Sequence, residues 1–201
     1  HQRAAEFLEK HADEQLPSAV LAHHFKRAGL LEKALRYYVR AGDRAAQMVV
    51  YSEAQQHYQS ADELLQLLPR TPELRRAQAD LIVKQAQCSY MAGGAARMLD
   101  RLALAQGILS ETELDGRGST VDLLQTLRIE YELGRWTLQL NEYSKATAHF
   151  EKAISLASQL AQTELMVLSQ MTHGLSLFMQ GQPGRALANL EASAPKIEQY
   201  L

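Results

Sequence analysis

Residues 51–68 read YSEAQQHYQSADELLQLL, and residues 143–160 read YSKATAHFEKAISLASQL. Aligned without gaps, the two stretches share seven residues, and Tyr58 of the first corresponds to Phe150 of the second. Each contains two alanines seven positions apart with the aromatic residue between them. Steps of four and three place these side chains on one face of a helix. Small residues let a neighbouring helix approach closely, and the ring fills the remaining space. The stretch therefore predicts closely packed helices.

Further copies of the pattern Ala-x-x-x-aromatic-x-x-Ala lie on both sides of these stretches. The copies are Ala34/Tyr38/Ala41, Ala54/Tyr58/Ala61 and Ala146/Phe150/Ala153, with a weaker one at Ala186/Leu190/Ser193. A small residue stands twelve positions before three of them, at Ala22, Gly134 and Gly174. This arrangement is similar to the tetratricopeptide repeat, although Thr137 replaces the aromatic residue expected three positions after Gly134. The resemblance implies an all-α fold, an α/α solenoid of tetratricopeptide-like helical hairpins.

The composition favours helices and excludes several classes of partner. The 201 residues include eleven Gly, five Pro and one cysteine, Cys88, and the net charge is −2. Domains that bind nucleic acid normally carry a basic excess, and no apolar run reaches the roughly 18 residues that span a bilayer. A single cysteine excludes an internal disulfide and is typical of a reducing compartment. We therefore expect a cytoplasmic protein without direct contact to nucleic acid or membrane. The polar opening HQRAAEFLEK, without an initiator Met, indicates a piece of a longer protein.

Turn residues and caps predict where the helices begin and end. Thr71-Pro72-Glu73 combines an N-cap, a first-turn proline and an acidic first turn. The stretch ETELDGRGS at 111–119 is the one Gly-rich loop long enough to act as a hinge. The expected helices are 2–13, 18–28, 30–49, 52–68, 72–91, 95–110, 121–140, 143–160, 163–180 and 184–200.

The repeats are expected to form one domain over 1–201. The expected parts are an irregular region at 1–70 and helical hairpins at 71–111, 119–160 and 161–201. The copies beginning at Ala34 and Ala54 are only 20 residues apart, whereas one repeat needs about 34. Helix 30–49 therefore either serves two neighbouring hairpins or breaks at Ala41-Gly42-Asp43.

Residues 19–69 resemble a more specific family. The motifs that carry this resemblance are AHHF at 22–25, AG at 28–29 and RAGDRA at 40–45. They are similar to the tetratricopeptide region that follows the nucleotide-binding module of large bacterial signalling ATPases. The resemblance implies that the nucleotide-binding and output domains lie outside this chain. From 70 to 201 it is limited to the repeat pattern.

Motifs for phosphate or zinc chemistry are missing from the sequence. It contains neither GxxxxGK[ST] nor HExxH. Gly116 and Gly118 form a lone GxG without a preceding strand, which we interpret as loop. His23 and His24 are adjacent on a helix, so their side chains point about 100° apart and favour packing over a shared ion.

The remaining candidates for chemistry also favour structural roles. Cys88 lies in an apolar helix, which predicts a buried, inert thiol. His57 lies four residues after Glu53, a spacing that metal ligands use, but the equivalent His149 has Lys145 there. We therefore expect no enzymatic activity, no cofactor and no metal site in this chain.

Binding residues are expected on the first helix of each hairpin, because those helices line the concave side of a solenoid. Arg and aromatic side chains are typical anchors for partners, and methionines adapt to varied ones. The candidates are His23, Lys26 and Arg27 on the first such helix, Arg128, Tyr131, Arg135 and Gln139 on helix 121–140, and Met171, Leu175, Phe178 and Met179 on helix 163–180. In the alternative, Tyr131, Phe178 and both methionines belong to the core, and the cations form a solvated face.

The sequence favours a non-catalytic regulatory or sensor module of a signalling ATPase or transcriptional regulator. It would bind a protein, a peptide or a small inducer, or hold the parent's own upstream domains inactive. The alternative is a freestanding adaptor that captures an extended peptide or a C-terminal carboxylate, which convergence of Lys26, Arg27 and Arg135 would favour. An enzyme on an α/α scaffold is a third hypothesis that no constellation supports. We also predict that Gly134→Leu unfolds or loosens the 121–160 hairpin and that Arg135→Ala leaves the melting temperature nearly unchanged.

Overall fold

The computed structural model describes residues 18–89, 95–112 and 120–200. The expected helix 2–13, the break at 92–94 and the Gly116/Gly118 part of the hinge loop lie outside these ranges. Within them the chain is helical and contains no strand, so the all-α class is confirmed. The helices are α1 (Ser18–Arg27), α2 (Leu31–Gln47), α3 (Tyr51–Leu65), α4 (Pro72–Ser89), α5 (Ala95–Thr112), α6 (Thr120–Gln139), α7 (Tyr143–Gln159), α8 (Thr163–Met179) and α9 (Pro183–Tyr200).

The predicted helix ends agree with the observed ones to within three residues. The largest error concerns α3, which ends at Leu65 rather than at residue 68. Thr71 is confirmed as a cap, because its hydroxyl oxygen accepts a hydrogen bond from the Leu74 N–H at 3.3 Å. Helix α2 runs unbroken through Gly42, which removes the alternative of a break there.

Short turns with the same backbone hydrogen bonds join five pairs of consecutive helices. The pairs are α1 and α2, α2 and α3, α6 and α7, α7 and α8, and α8 and α9. Each turn contains a residue in the left-handed region: Gly29, Val49, Asn141, Ala161 and Gly181. The N–H of this residue donates to the carbonyl three positions back, and the next N–H donates to the carbonyl five positions back. This pairing is the Schellman motif, which satisfies the last carbonyls of a helix. The turns recur at intervals of 20 residues, so two helices with their turns occupy 40 residues, longer than the roughly 34 of a tetratricopeptide repeat.

The helices fall into two compact units, His1–Met91 and Ala92–Leu201. In the first unit α1 to α4 pack in chain order, each against the next. Gly42 of α2 lies beneath the ring of Tyr58 in α3, where an added Cβ would be 2.3 Å from a ring carbon. Ala34 and Tyr38 of the same helix are buried in the core that also contains residues of α1. Helix α2 therefore serves two neighbouring pairs, as one of the two alternatives predicts.

In the second unit α5 to α9 also pack in chain order, and α6 in addition contacts α8. A Cβ on Gly134 would lie 2.5 Å from the Phe150 ring, and one on Gly174 would lie 3.1 Å from Leu190. Phe150 is fully buried, together with the alanines at both ends of its pattern. The predicted role of small residues at helix crossings is therefore confirmed in this unit.

Helix α6 carries apolar residues on more than one side. Leu127, Ile129, Leu133 and Trp136 are all buried, as expected for a helix packed between others. No helix in the described ranges is long and apolar enough to cross a membrane.

Candidate functional site

An exposed apolar stripe runs along α8. Met171, Leu175, Phe178 and Met179 are between 47% and 60% exposed. Their spacing of four, three and one places them on one face of the helix. The alternative that Phe178 and the two methionines belong to the core is therefore wrong. Their proposed role in binding stays a prediction.

The candidates on α6 lie closer to the core. Arg128, Tyr131 and Arg135 are half-buried, and Gln139 is exposed. The guanidinium of Arg135 lies over the Tyr131 ring, 5.8 Å from its centroid, and that ring is 6.2 Å from the ring of Phe150. Tyr131 therefore presents one side to the core and supports Arg135 with the other.

Arg135 also has a structural task that sequence reasoning missed. One of its terminal nitrogens donates to both carboxylate oxygens of Glu132, at 3.0 and 3.1 Å. The Glu132 side chain is only 1% exposed. A buried carboxylate that loses such a partner is costly, so we no longer expect Arg135→Ala to leave the melting temperature unchanged.

Helices α6 and α8 contact each other, and residues of both helices pack in one hydrophobic cluster. Tyr131 from α6 and Leu165 and Met166 from α8 pack against the buried Leu127 and Ala153. We call the surface of these two helices the α6–α8 face. Its members are Arg128, Tyr131, Arg135, Gln139, Met171, Leu175, Phe178 and Met179.

The candidates on α1 come together in the other unit. His23, Lys26 and Arg27 line a hollow of about 290 Å³ with Tyr38 of α2. Lys26 lies 3.6 Å from Glu63, and both side chains are largely exposed, so this pair contributes little to stability. The convergence of these residues with Arg135 in one groove stays a prediction.

A buried acidic network on α6 was not foreseen. Glu130, 1% exposed, accepts hydrogen bonds from His149 Nδ1 at 2.8 Å, Lys152 Nζ at 2.5 Å and Gln106 Nε2 at 2.8 Å. Burial alone would raise the pKa of the Glu130 carboxyl, but the hydrogen bonds from His149 and Lys152 lower it below its ordinary value. One signal was available, because Glu130 lies four positions before Gly134 and thus on the same buried face.

A network that corresponds to the one around Glu130 surrounds Asp43 in the first unit. The Tyr58 hydroxyl donates to Asp43 at 2.8 Å, and Lys84 Nζ donates to both carboxylate oxygens at 2.6 and 2.7 Å. Burial and the hydrogen bond to Asp43 raise the pKa of the Tyr58 hydroxyl far above its ordinary value. Both networks tie neighbouring helices together and occupy positions beside a glycine crossing.

His57, His173 and Cys88 occupy structural positions. His57 lies 3.5 Å from the Glu53 carboxylate, and His173 contacts the Asn189 side-chain oxygen at 3.2 Å. The Cys88 thiol is buried, as predicted. These two contacts join the histidines to a carboxylate and to an amide oxygen. A histidine that acts as a general base contacts the hydroxyl or thiol that it activates.

Comparison with known proteins identifies the fold and no family. No protein-family model matches the sequence, and no curated protein matches it. Among solved structures, the chain is similar to a Rap protein complexed with competence and sporulation factor, with a TM-score of 0.67 and 17% identity over 98% of this chain and 48% of that one. It is also similar to aspartyl phosphate phosphatase F from Bacillus subtilis, with a TM-score of 0.68 and 20% identity over 99% of this chain and 50% of that one.

A third similar structure is that of MamA protein, with a TM-score of 0.56 and 14% identity. The match covers 90% of this chain and 91% of MamA. The chain therefore spans about half the length of the Rap-type structures and nearly the full length of MamA. These similarities confirm the helical-repeat fold.

Proposed function

We propose that this chain is a non-catalytic regulatory module that binds a protein or peptide segment through the α6–α8 face. The observation that carries the proposal is the exposed stripe of Met171, Leu175, Phe178 and Met179 on α8. Contiguous apolar surface on a soluble protein commonly marks an interaction site. Unbranched methionines at its ends adapt to partners of different shape.

The charges of this face favour an apolar partner segment over a carboxylate tail. Both cations of this face, Arg128 and Arg135, are half-buried, and Arg135 already donates to the buried Glu132. Capturing a terminal carboxylate requires a cation whose N–H donors are well exposed to solvent. A segment that inserts apolar side chains along α8 is therefore favoured over the C-terminal carboxylate of the adaptor alternative.

The fold comparison supports a binding role. One similar structure is a Rap protein in complex with competence and sporulation factor. A helical repeat of this kind can therefore hold another molecule, and solenoids in general bind through extended surfaces. Fold similarity alone does not transfer a ligand, so the partner must be found by experiment.

Selection from a library of displayed linear peptides tests the proposal. We expect the wild-type chain to enrich peptides with apolar residues at helical or alternating spacing. Phe178→Ser should abolish the binding of these peptides, because it removes the most exposed side chain of the stripe. Leu67→Ser is the matched control, since Leu67 is a comparably exposed leucine outside this face.

Circular dichroism should show that both variants keep the helical content of the wild type. Equal binding by wild type and Phe178→Ser would overturn the proposal, as would a selection that enriches nothing. Loss of binding by Leu67→Ser as well would also count against it, because the effect would then not depend on the α6–α8 face.

We further propose that the module belongs to a multidomain bacterial signalling ATPase. The support is the resemblance of residues 19–69 through AHHF, AG and RAGDRA. Sequencing the surrounding reading frame tests this directly, and we expect a GxxxxGK[ST] motif upstream of residue 1. A reading frame without that motif would leave the freestanding adaptor as the better proposal.

A further inference from the structure

A second concave site lies in the unit Ala92–Leu201. A cavity of about 570 Å³ opens between α5, α6 and α7, within the range typical of small-molecule sites. Its α6 wall includes Thr126 and Ile129. At 100° per residue these positions lie on the side of α6 opposite Tyr131 and Arg135. The cavity is therefore distinct from the α6–α8 face.

Gly107 in the middle of α5 lines this cavity. A glycine inside a helix costs about 1 kcal/mol relative to alanine. Gly42, Gly134 and Gly174 each lie against a side chain of the next helix, which explains them. Beside Gly107, in contrast, an added Cβ would meet nothing within 4 Å. Gly107 therefore borders open space and does not admit a neighbouring helix.

The lining combines an apolar wall with one polar end. Leu123 of α6 and Leu156 of α7 form the accessible apolar part, since Leu109 and Ile129 behind them are at most 2% exposed. Gln106 and Lys152 form the polar part, and both donate to the buried Glu130 beside it. Among the described residues that line the cavity, Lys152 is the charged one.

Lys152 is suited to hold an anion at the mouth of the cavity. Its side chain is 57% exposed although its Nζ contacts Glu130. An ammonium group carries three N–H donors, so one bond to Glu130 leaves donors for a second acceptor. Glu130 already accepts three hydrogen bonds and fixes the position of Lys152.

We propose that this cavity binds a small free organic acid with an apolar body. Lys152 holds the carboxylate, and Leu123 and Leu156 contact the apolar body. Gly107 provides the space that the body occupies. The chain would then respond to a small acid at one side of α6 and bind its partner segment at the other.

Amide NMR titration of the chain with octanoate and with N-acetylleucine tests this site. We expect shifts for residues of α5, α6 and α7 around the cavity, and binding about tenfold weaker for the methyl ester of each acid. Gly107→Phe should abolish binding, because its ring would occupy the open space beside Gly107, where an added Cβ meets nothing within 4 Å. Gly107→Ala is the control and should retain binding.

Lys152→Met gives an independent readout that does not depend on filling the cavity. It should make the acid and its ester bind equally, while the helical content stays unchanged. Absence of binding by the wild type at about 10 mM of either acid would overturn the proposal. It would equally fail if Gly107→Phe bound like the wild type, or if acid and ester bound the wild type alike. Peptide selection through Phe178 is independent of these results, so the two proposals can fail separately.

Discussion

At two places in the molecule a glycine lies beneath an aromatic ring sixteen residues later in the chain. In the first unit Gly42 meets Tyr58, and in the second Gly134 meets Phe150. The acidic group beside each crossing differs in its surroundings. The Asp43 side chain is 37% exposed and accepts the Tyr58 hydroxyl, whereas the Glu130 side chain is 1% exposed and is held by His149 and Lys152.

The difference separates two contributions to a helix crossing. The glycine and the ring set how closely the helices approach, and this part is the same in both units. The polar groups around the ring set how the crossing responds to pH, and this part differs. A repeat can thus keep its packing while each copy acquires its own electrostatics.

Enlarging the glycines should have the largest effect. Gly42→Leu and Gly134→Leu should each destabilise the protein by about 3 kcal/mol or more, since even a Cβ there would collide with a ring. Gly174→Leu should cost less, because Leu190 is farther away and flexible. Urea denaturation measures these losses, with Gly107→Leu as the uncrowded control. Equal losses for all four variants would contradict the packing account.

The next largest losses of stability are expected when the cation is removed from one ion pair in each unit. Arg135→Ala removes the hydrogen bonds to both carboxylate oxygens of the buried Glu132. It should lower the free energy of unfolding by about 3 kcal/mol. Lys84→Ala should cost about 1 kcal/mol, because the Asp43 carboxylate is partly solvated. Thermal and urea denaturation of both variants measure the difference. A larger loss for Lys84→Ala would show that burial of the carboxylate does not decide the cost.

The hydroxyl of Tyr58 should contribute less than the guanidinium of Arg135. Tyr58→Phe makes this crossing resemble that of Phe150 and removes a hydrogen bond to a carboxylate, at a cost of about 2 kcal/mol. Tyr143→Phe is a matched control, because the Tyr143 hydroxyl bonds Asn141 at an exposed site. The free energy of unfolding should fall clearly for Tyr58→Phe alone. An unchanged value would mean that the hydroxyl contributes nothing net.

The two crossings should respond to opposite extremes of pH. The folded-state pKa of Glu130 is lowered, so its stabilisation is present above the unfolded-state value of about 4.3 and is lost as pH falls further. The folded-state pKa of Tyr58 is raised, so its stabilisation is present below about pH 10 and is lost as pH rises. Urea denaturation across pH should show a shallower acid loss for Glu130→Gln and a shallower alkaline loss for Tyr58→Phe. Parallel pH profiles for wild type and variants would refute this assignment.

The smallest effect is expected at the turns. Val49 adopts φ 61°, and the same position is occupied in two equivalent turns by glycines, Gly29 and Gly181. A β-branched residue is strained there, and Val49 is 66% exposed, so its side chain gains little from packing. Val49→Gly should therefore stabilise the protein by about 1 kcal/mol, and Gly181→Ala should destabilise it by a similar amount. A loss of stability for Val49→Gly would show that the valine side chain compensates for its backbone.

Much of the fold could be predicted because its signals are local or periodic. The pattern around Tyr58 and Phe150 identifies the buried face, and the turn residues delimit the helices. The small residues upstream, Gly134 and Gly174, identify where helices cross. These features depend on the size and spacing of side chains, which the sequence states directly. They correctly predicted the helices and the glycine crossings of the second unit.

The candidate site was predictable only in part. The spacing of Met171 and Phe178 predicted a shared face on α8, but their exposure depends on which neighbours cover the helix. The pairing of Arg135 with a buried Glu132, and of Glu130 with Gln106 and Lys152, needed the structure.

The sequence by itself thus determined the helices, their order and the small residues at which they cross, because these follow from periodicity and side-chain volume. The tertiary structure decided which charges are buried, which apolar stripe faces solvent and that Gly107 borders open space. Those properties depend on groups from separate helices meeting in space, where solvation and hydrogen bonding are set by all the neighbours together.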